Sequence, residues 1–118
     1  MKKDDALAAL GALAQDNRLD VFRLLVESGP EGLPAGSVAN ALKLAPNTLT
    51  FHFDRLRQAG LVTVRREGRS MIYAARYETM NALIDYLTKN CCCGVPLEPR
   101  GPATASKGAP AKRGTVPA

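Results

Sequence analysis

Apolar residues recur at helical spacing along most of this chain, and near its middle the period drops to that of strands. The pattern is sharpest at residues 46–59. Leu49, Phe53 and Leu56 are spaced by four and three and share one face of a helix, with His52 at the edge of that face. Pro46 suits the first turn, where its missing N–H is no loss, and Gly60 is a natural stop. The opposite face presents Asn47, Thr48, Thr50, Phe51 and Arg55: short polar groups, an aromatic ring and a cation. Such a face can enter a DNA major groove and reach base edges and thymine methyls. After Gly60 come the strand formers Leu61, Val62 and Val64, then Ile72 and Tyr73, on either side of a Glu67-Gly68 turn. Arg65, Arg66 and Arg69 cluster around that turn, a basic hairpin tip suited to phosphate.

The flanking segments are helical. An alanine-rich stretch with Leu7, Leu10, Leu13 and Ala14 on one stripe, capped by Asp4 or Asp5, predicts a first helix to about residue 14. Asp16 and Asn17 interrupt it and can cap a second, residues 18–27, with Leu19, Val21, Phe22, Leu25 and Val26 buried. Residues 28–32, Ser-Gly-Pro-Glu-Gly, are a loop by composition. Pro34 opens a short third helix containing Val38, Ala39, Ala41 and Leu42. With a turn at Leu44-Ala45 and the helix from Pro46, it makes a helix-turn-helix. Residues 77–91 read as the last long helix, with Met80, Leu83, Ile84 and Leu87 on one stripe. Residues 95–118 are rich in Pro, Ala and Gly and carry Arg100, Lys107, Lys112 and Arg113. They hold too little apolar surface to order themselves and are read as a disordered, solubilising tail.

The segment Leu44–Ala75, LAPNTLTFHFDRLRQAGLVTVRREGRSMIYAA, resembles the core of the ArsR/SmtB family of winged-helix repressors. The resemblance extends from about Leu7 to Gly94. Its most specific pieces are the Thr-x-His-x-x-x-Leu-Arg-x-Ala-Gly-Leu-Val helix and the Arg-Arg-x-Gly-Arg turn. It implies a mainly α fold with a small β-hairpin wing, a homodimeric winged helix-turn-helix. Residues 1–94 would form the DNA-binding and dimerisation domain and 95–118 the tail. The interface between subunits would bring Leu7 and Leu10 of the first helix against Met80, Leu83, Ile84 and Leu87 of the last. Double-stranded operator DNA is the implied partner, with half-sites about 34 Å, one turn of the duplex, or a multiple of that apart.

Charge agrees with this. The chain of 118 residues, enough for one domain, has net charge +5. Lys43, Arg55, Arg57, Arg65, Arg66, Arg69 and Arg76 stand against only Asp54 and Glu67 in the helix-wing segment. No apolar run approaches the roughly 20 residues of a membrane span, and no secretory pattern follows the MKKDD start, so the expected location is the cytoplasm.

Cys91, Cys92 and Cys93 are the candidate chemistry. Adjacent to one another, they suit thiols in a reducing compartment, not a disulfide framework. Soft sulfur ligands select thiophilic ions. The resemblance implies that Asn-Cys-Cys-Gly at the end of the last helix senses trivalent arsenic, with antimony or methylarsenite as variants. Cys91 and Cys92 match that pair. Cys93 departs from the pattern, and the third ligand is Cys93, a partner-chain thiol or an outside thiol. Neighbouring helix residues point about 100° apart, so three consecutive thiols cannot converge inside a regular helix. Gly94 and Pro96 would let the last turn unwind. Arsenic(III) is thus the expected inducer and no constitutive cofactor is expected. The third helix lacks a Cys-x-Cys pair and the last helix lacks histidine, which disfavours the other metal sites of the family. A thiol-redox or persulfide sensor on the same scaffold is an alternative. An enzyme such as a thiol reductase is disfavoured by the missing Cys-x-x-Cys spacing and βαβ pattern. His52 is read as a half-buried support for its helix, and Tyr73, Tyr77 and Tyr86 as packing residues.

Overall fold

The computed structural model describes residues 1–91, which build five helices and a three-stranded antiparallel sheet. Met1–Leu87 form one compact unit; Thr88–Ala118 are assigned to a second, of which only Thr88 to Cys91 are described. The expected tail, and Cys92 and Cys93, lie outside the described residues. Among the described residues no helix is long and apolar enough to cross a membrane.

α1 (Lys3–Leu13) starts at Lys2, whose N–H donates to Asp5 Oδ2 at 3.4 Å. Asp5 thus acts from inside the first turn and does not occupy the cap position expected of Asp4 or Asp5. α1 packs inward through Ala6 and Ala9, small residues that bring the helix close, and leaves Leu7 and Leu10 exposed. α2 (Asp16–Ser28) is capped by Gln15, whose Oε1 accepts from the Arg18 N–H at 2.9 Å, not by Asp16 or Asn17. Arg18 Nε in turn donates to the Ala12 carbonyl, one of the unpaired C=O groups at the end of α1. Val21, Phe22 and Leu25 are buried. Leu19, expected with them, is exposed, because at about 100° per residue it falls roughly a third of a turn from the centre of that arc.

A short strand, β1 (Leu33–Pro34), precedes α3 (Ala35–Leu42), so Pro34 ends an edge strand and caps α3. β1 pairs with β3 (Ser70–Ala75), and β3 with β2 (Val62–Glu67), in the order β1-β3-β2. Gly32 is at φ 76° with its Cα against the Tyr73 carbonyl, where a Cβ would collide with backbone; only glycine brings the loop this close to β3. The β2–β3 register pairs Glu67 with Ser70, placing the turn at Gly68-Arg69, one residue later than expected. Gly68, at φ 60°, supplies the left-handed first position of that two-residue turn.

α4 (Pro46–Gln58) follows α3 through Lys43, in the left-handed region, and Leu44-Ala45. It ends as Gly60 turns left-handed and the Leu61 N–H bonds the Leu56 carbonyl. Leu49, Phe53 and Leu56 join Val21, Leu25, Val38 and Leu61 as the largest fully buried side chains.

α5 (Tyr77–Thr88) is anchored at its start, where the Tyr77 hydroxyl donates to the Val26 carbonyl at 2.9 Å. Its apolar stripe divides. Leu83, 7% exposed, belongs to the protomer's own core, with Met80, Tyr77 and Tyr86 packed against it, while Ile84 and Leu87 face outward. Leu83 is thus covered by its own protomer, whereas Ile84 and Leu87 are not. The helix stops at Thr88, three residues before the expected end, and Asn90 takes the left-handed conformation (φ 58°) that closes many helices.

Candidate nucleic-acid interface

α4 has two unlike faces. The inner one holds Leu49, Phe53 and Leu56, with Phe53 lying flat on Tyr73 of β3, ring centroids 3.6 Å apart. The outer one brings Asn47, Thr48, Thr50, Phe51 and Arg55, all exposed, to one surface. No side chain caps α4: Ala45 stands at its N-cap and Pro46 begins it, so the first-turn N–H groups of Asn47 and Thr48 remain open to an anion. The exposed Thr50 donates its hydroxyl to the Pro46 carbonyl at 2.9 Å. The Arg55 guanidinium lies over the Phe51 ring, 5.2 Å from its centroid. Arg57 pairs instead with Asp54 at 3.7 Å, a half-exposed pair of little energetic weight.

The three wing arginines are not equivalent. Arg65 is held within the protein: its Nε meets Glu67 Oε2 at 2.7 Å and its second amino group donates to the Glu31 carbonyl at 2.8 Å. That bridge ties β2 to the loop before β1. Arg66 makes only a long 3.3 Å bond to the Gly68 carbonyl, and Arg69 makes none among the described residues. Sequence pattern placed all three at the tip but could not show that the Glu31 carbonyl, 34 residues away, captures one of them.

His52 is buried, not half-buried: 5% of it is exposed, and its Nδ1 has no hydrogen-bond partner. Burial, and then the charge of Arg18, lower its pKa and keep the imidazole neutral. Its ring meets Phe51 edge-on at 5.7 Å. Tyr73 is held in its phenol form by burial first and the Asp54 charge second, with Arg57 opposing, which fits a packing role.

Among the described residues no cluster of three His, Cys, Asp or Glu could hold a metal ion. Cys91 is half-buried and follows the left-handed Asn90.

Comparison with known proteins places this surface in context. Residues 13–65 match a family described as a helix-turn-helix domain. The chain is 32% identical over 85 residues to the uncharacterized HTH-type transcriptional regulator YceK of Bacillus subtilis, covering 70% of this chain and 84% of that one. It is 30% identical over 94 residues to the transcriptional activator HlyU of Vibrio cholerae, covering 78% and 84%. The HlyU structure aligns with TM-score 0.61 at 29% identity over 78% of this chain and 99% of that chain. An ArsR-like transcriptional regulator from Rhodococcus sp. RHA1 aligns with TM-score 0.65 at 23% identity, covering 73% and 78%.

Two outcomes are expected from the site geometry. Arg66→Ala and Arg69→Ala should each flatten the plot of log affinity against log salt by about 0.9 for each phosphate left without its cation. Arg65→Ala should weaken binding with the slope unchanged, since it removes a brace. An equal flattening in all three would show that Arg65 contacts phosphate. The second concerns pH. The unfolded chain protonates its single histidine near 6.5, whereas folded His52 does so only at lower pH. The unfolded state thus binds more protons in that interval, and stability should fall as pH drops below about 6.5. Denaturation midpoints at pH 7.5 and 5.5 should differ more for wild type than for His52→Phe; equal differences would mean that His52 titrates normally.

Proposed function

This chain belongs to the helix-turn-helix transcriptional regulators and carries the ArsR-like winged-helix fold, and we propose that it is a homodimeric repressor that leaves its operator when trivalent arsenic binds Cys91, Cys92 and Cys93. The observation that carries the DNA-binding part is the two-sidedness of α4. One face is locked into the core while the other offers a polar and aromatic surface, and the wing exposes Arg66 and Arg69. In this reading α4 enters the major groove and the wing lies along phosphate.

Dimerisation is supported by apolar side chains that the protomer does not cover. Leu7 and Leu10 on α1, and Ile84 and Leu87 on α5, stand in solvent, Ile84 and Leu87 by 51% and 59%. Pairing two copies would remove them from water.

The arsenic part rests on the triple cysteine run and on the resemblance of the chain's Asn-Cys-Cys segment to arsenic-sensing relatives. Arsenic offered as As(OH)₃ exchanges hydroxide for thiolate, one water leaving for each As–S bond formed, with no change in oxidation state. Release of DNA requires arsenic to bind the DNA-free form better, with a coupling of about 1–3 kcal/mol. A regulator displaced in this way acts by blocking a promoter, which is why repression is proposed, although the relative HlyU is named an activator. One observation favours a second reading, a thiol-redox sensor: HlyU of Vibrio cholerae is also known in a structure of its reduced form.

With a duplex from the promoter adjoining the protein's own gene, arsenite should release wild type but not the Cys91→Ser, Cys92→Ser double variant, which should still bind DNA. Cys93→Ser should behave like the double variant if Cys93 is the third ligand and should retain weakened release otherwise. Normal release from the double variant would refute the arsenic site. Release by diamide, reversed by dithiothreitol, with none by arsenite, would install the redox reading in its place. Separately, Leu87→Asp puts an unpaired charge into the proposed contact at a cost of several kcal/mol. It should sediment as a folded monomer; an unchanged dimer would place the interface elsewhere.

A further inference from the structure

A phenyl ring standing in water on the DNA-facing side of α4 is not explained by phosphate contact or by packing. Phe51 is 51% exposed, yet it is not loosely placed. The buried, neutral His52 ring meets it edge-on at 5.7 Å, and the Arg55 guanidinium lies over it at 5.2 Å. Arg55 makes no ion pair among the described residues, because Asp54 pairs with Arg57. Its donors are available while its plane is already ordered, so little side-chain freedom is given up when it binds. Thr50, the neighbour best suited by type to donate to a base, has its hydroxyl hydrogen engaged by the Pro46 carbonyl.

We propose that Phe51 and Arg55 form a base-reading pair, Phe51 packing on the C5 methyl of a thymine and Arg55 donating to N7 and O6 of a nearby guanine. The inference rests on the reading of α4 as the helix that enters the major groove. Each half has a matching base chemistry: an apolar side chain for the thymine methyl, and a guanidinium fork for the two acceptors of guanine. The two residues are four apart, a rise of about 6 Å along the helix, so the thymine and guanine lie within about two base-pair steps of each other. The phenyl leaves water only where a methyl covers it, which makes the thymine preference a property of Phe51 itself.

The test uses the full chain and a duplex library. Wild type is selected against randomised DNA. In the enriched duplex each thymine is then replaced by deoxyuridine, which removes only the methyl, and each guanine by 7-deazaguanine, which removes N7. One thymine position per half-site should weaken wild type about fourfold when its methyl is removed, the free energy of one buried methyl-sized group. Phe51→Ala, at an exposed helical position, should bind the thymine and deoxyuridine duplexes equally. One nearby guanine should weaken wild type at least about fivefold as 7-deazaguanine. Arg55→Lys, which keeps the charge but not the fork, should lose that discrimination while retaining the salt slope. If the wild type enriches a defined site but no methyl distinguishes it from Phe51→Ala, the pair does not read bases. If 7-deazaguanine has no effect and Arg55→Gln weakens all sequences alike with a flatter salt slope, Arg55 is a phosphate contact and the proposal is overturned. Failure to enrich any sequence would overturn the groove reading together with this one.

Discussion

Phe53 lies on Tyr73 with planes 2° from parallel and centroids 3.6 Å apart, and this contact fixes the DNA-facing helix against the inner strand of the wing. Ring electrostatics do not favour a stack with so little offset. What holds it is the removal of two apolar faces from water, reinforced by Leu49 and Leu56 on the same side of α4. Other features converge on the same strand. Gly32 lets the loop before β1 lie against the Tyr73 carbonyl, and β1 then hydrogen-bonds along β3. Arg65 bridges from β2 to Glu31 in that loop. The outer face of α4 and the tip of the wing are therefore aimed by the core and by one strand, which is how a domain of this size can hold a groove-sized surface in register.

Much of this was legible in the sequence, and the reasons are local. The α4 stripe, Pro46 at its start and Gly60 at its end carry their own geometry, and the change of period at Leu61 marks the wing. What was not legible depends on distant partners. β1 is two residues long and contains proline, so no strand pattern exists to read; it forms because β3 is there to pair with it. Leu83 and Leu87 look alike by period, and only the packing of α5 decides that one is core and the other surface. His52 is at the edge of its stripe in a helical projection, yet its neighbours cover it. The helix starts differ because Gln15 caps α2 one residue before Asp16, and Asp5 accepts the Lys2 N–H from inside α1; carboxylates and amides both reach such N–H groups, and sequence alone does not rank them at one-residue resolution.

The surface and the thiols play separate roles in this account. The residues assigned to DNA lie on α4 and the wing, while the cysteines follow α5, which carries the outward Ile84 and Leu87. α5 ends at Thr88, and Asn90 is left-handed just before Cys91.

The most direct measurement of the central claim is a two-dimensional amide NMR titration of the full chain with a duplex from the promoter adjoining its own gene. The largest shifts are expected at Asn47, Thr48, Phe51 and Arg55 of α4 and at Arg66 and Arg69 of the wing, with the outward residues of α5 little changed. Shifts concentrated on α1 and α5, with the outer face of α4 silent at saturating DNA, would contradict it.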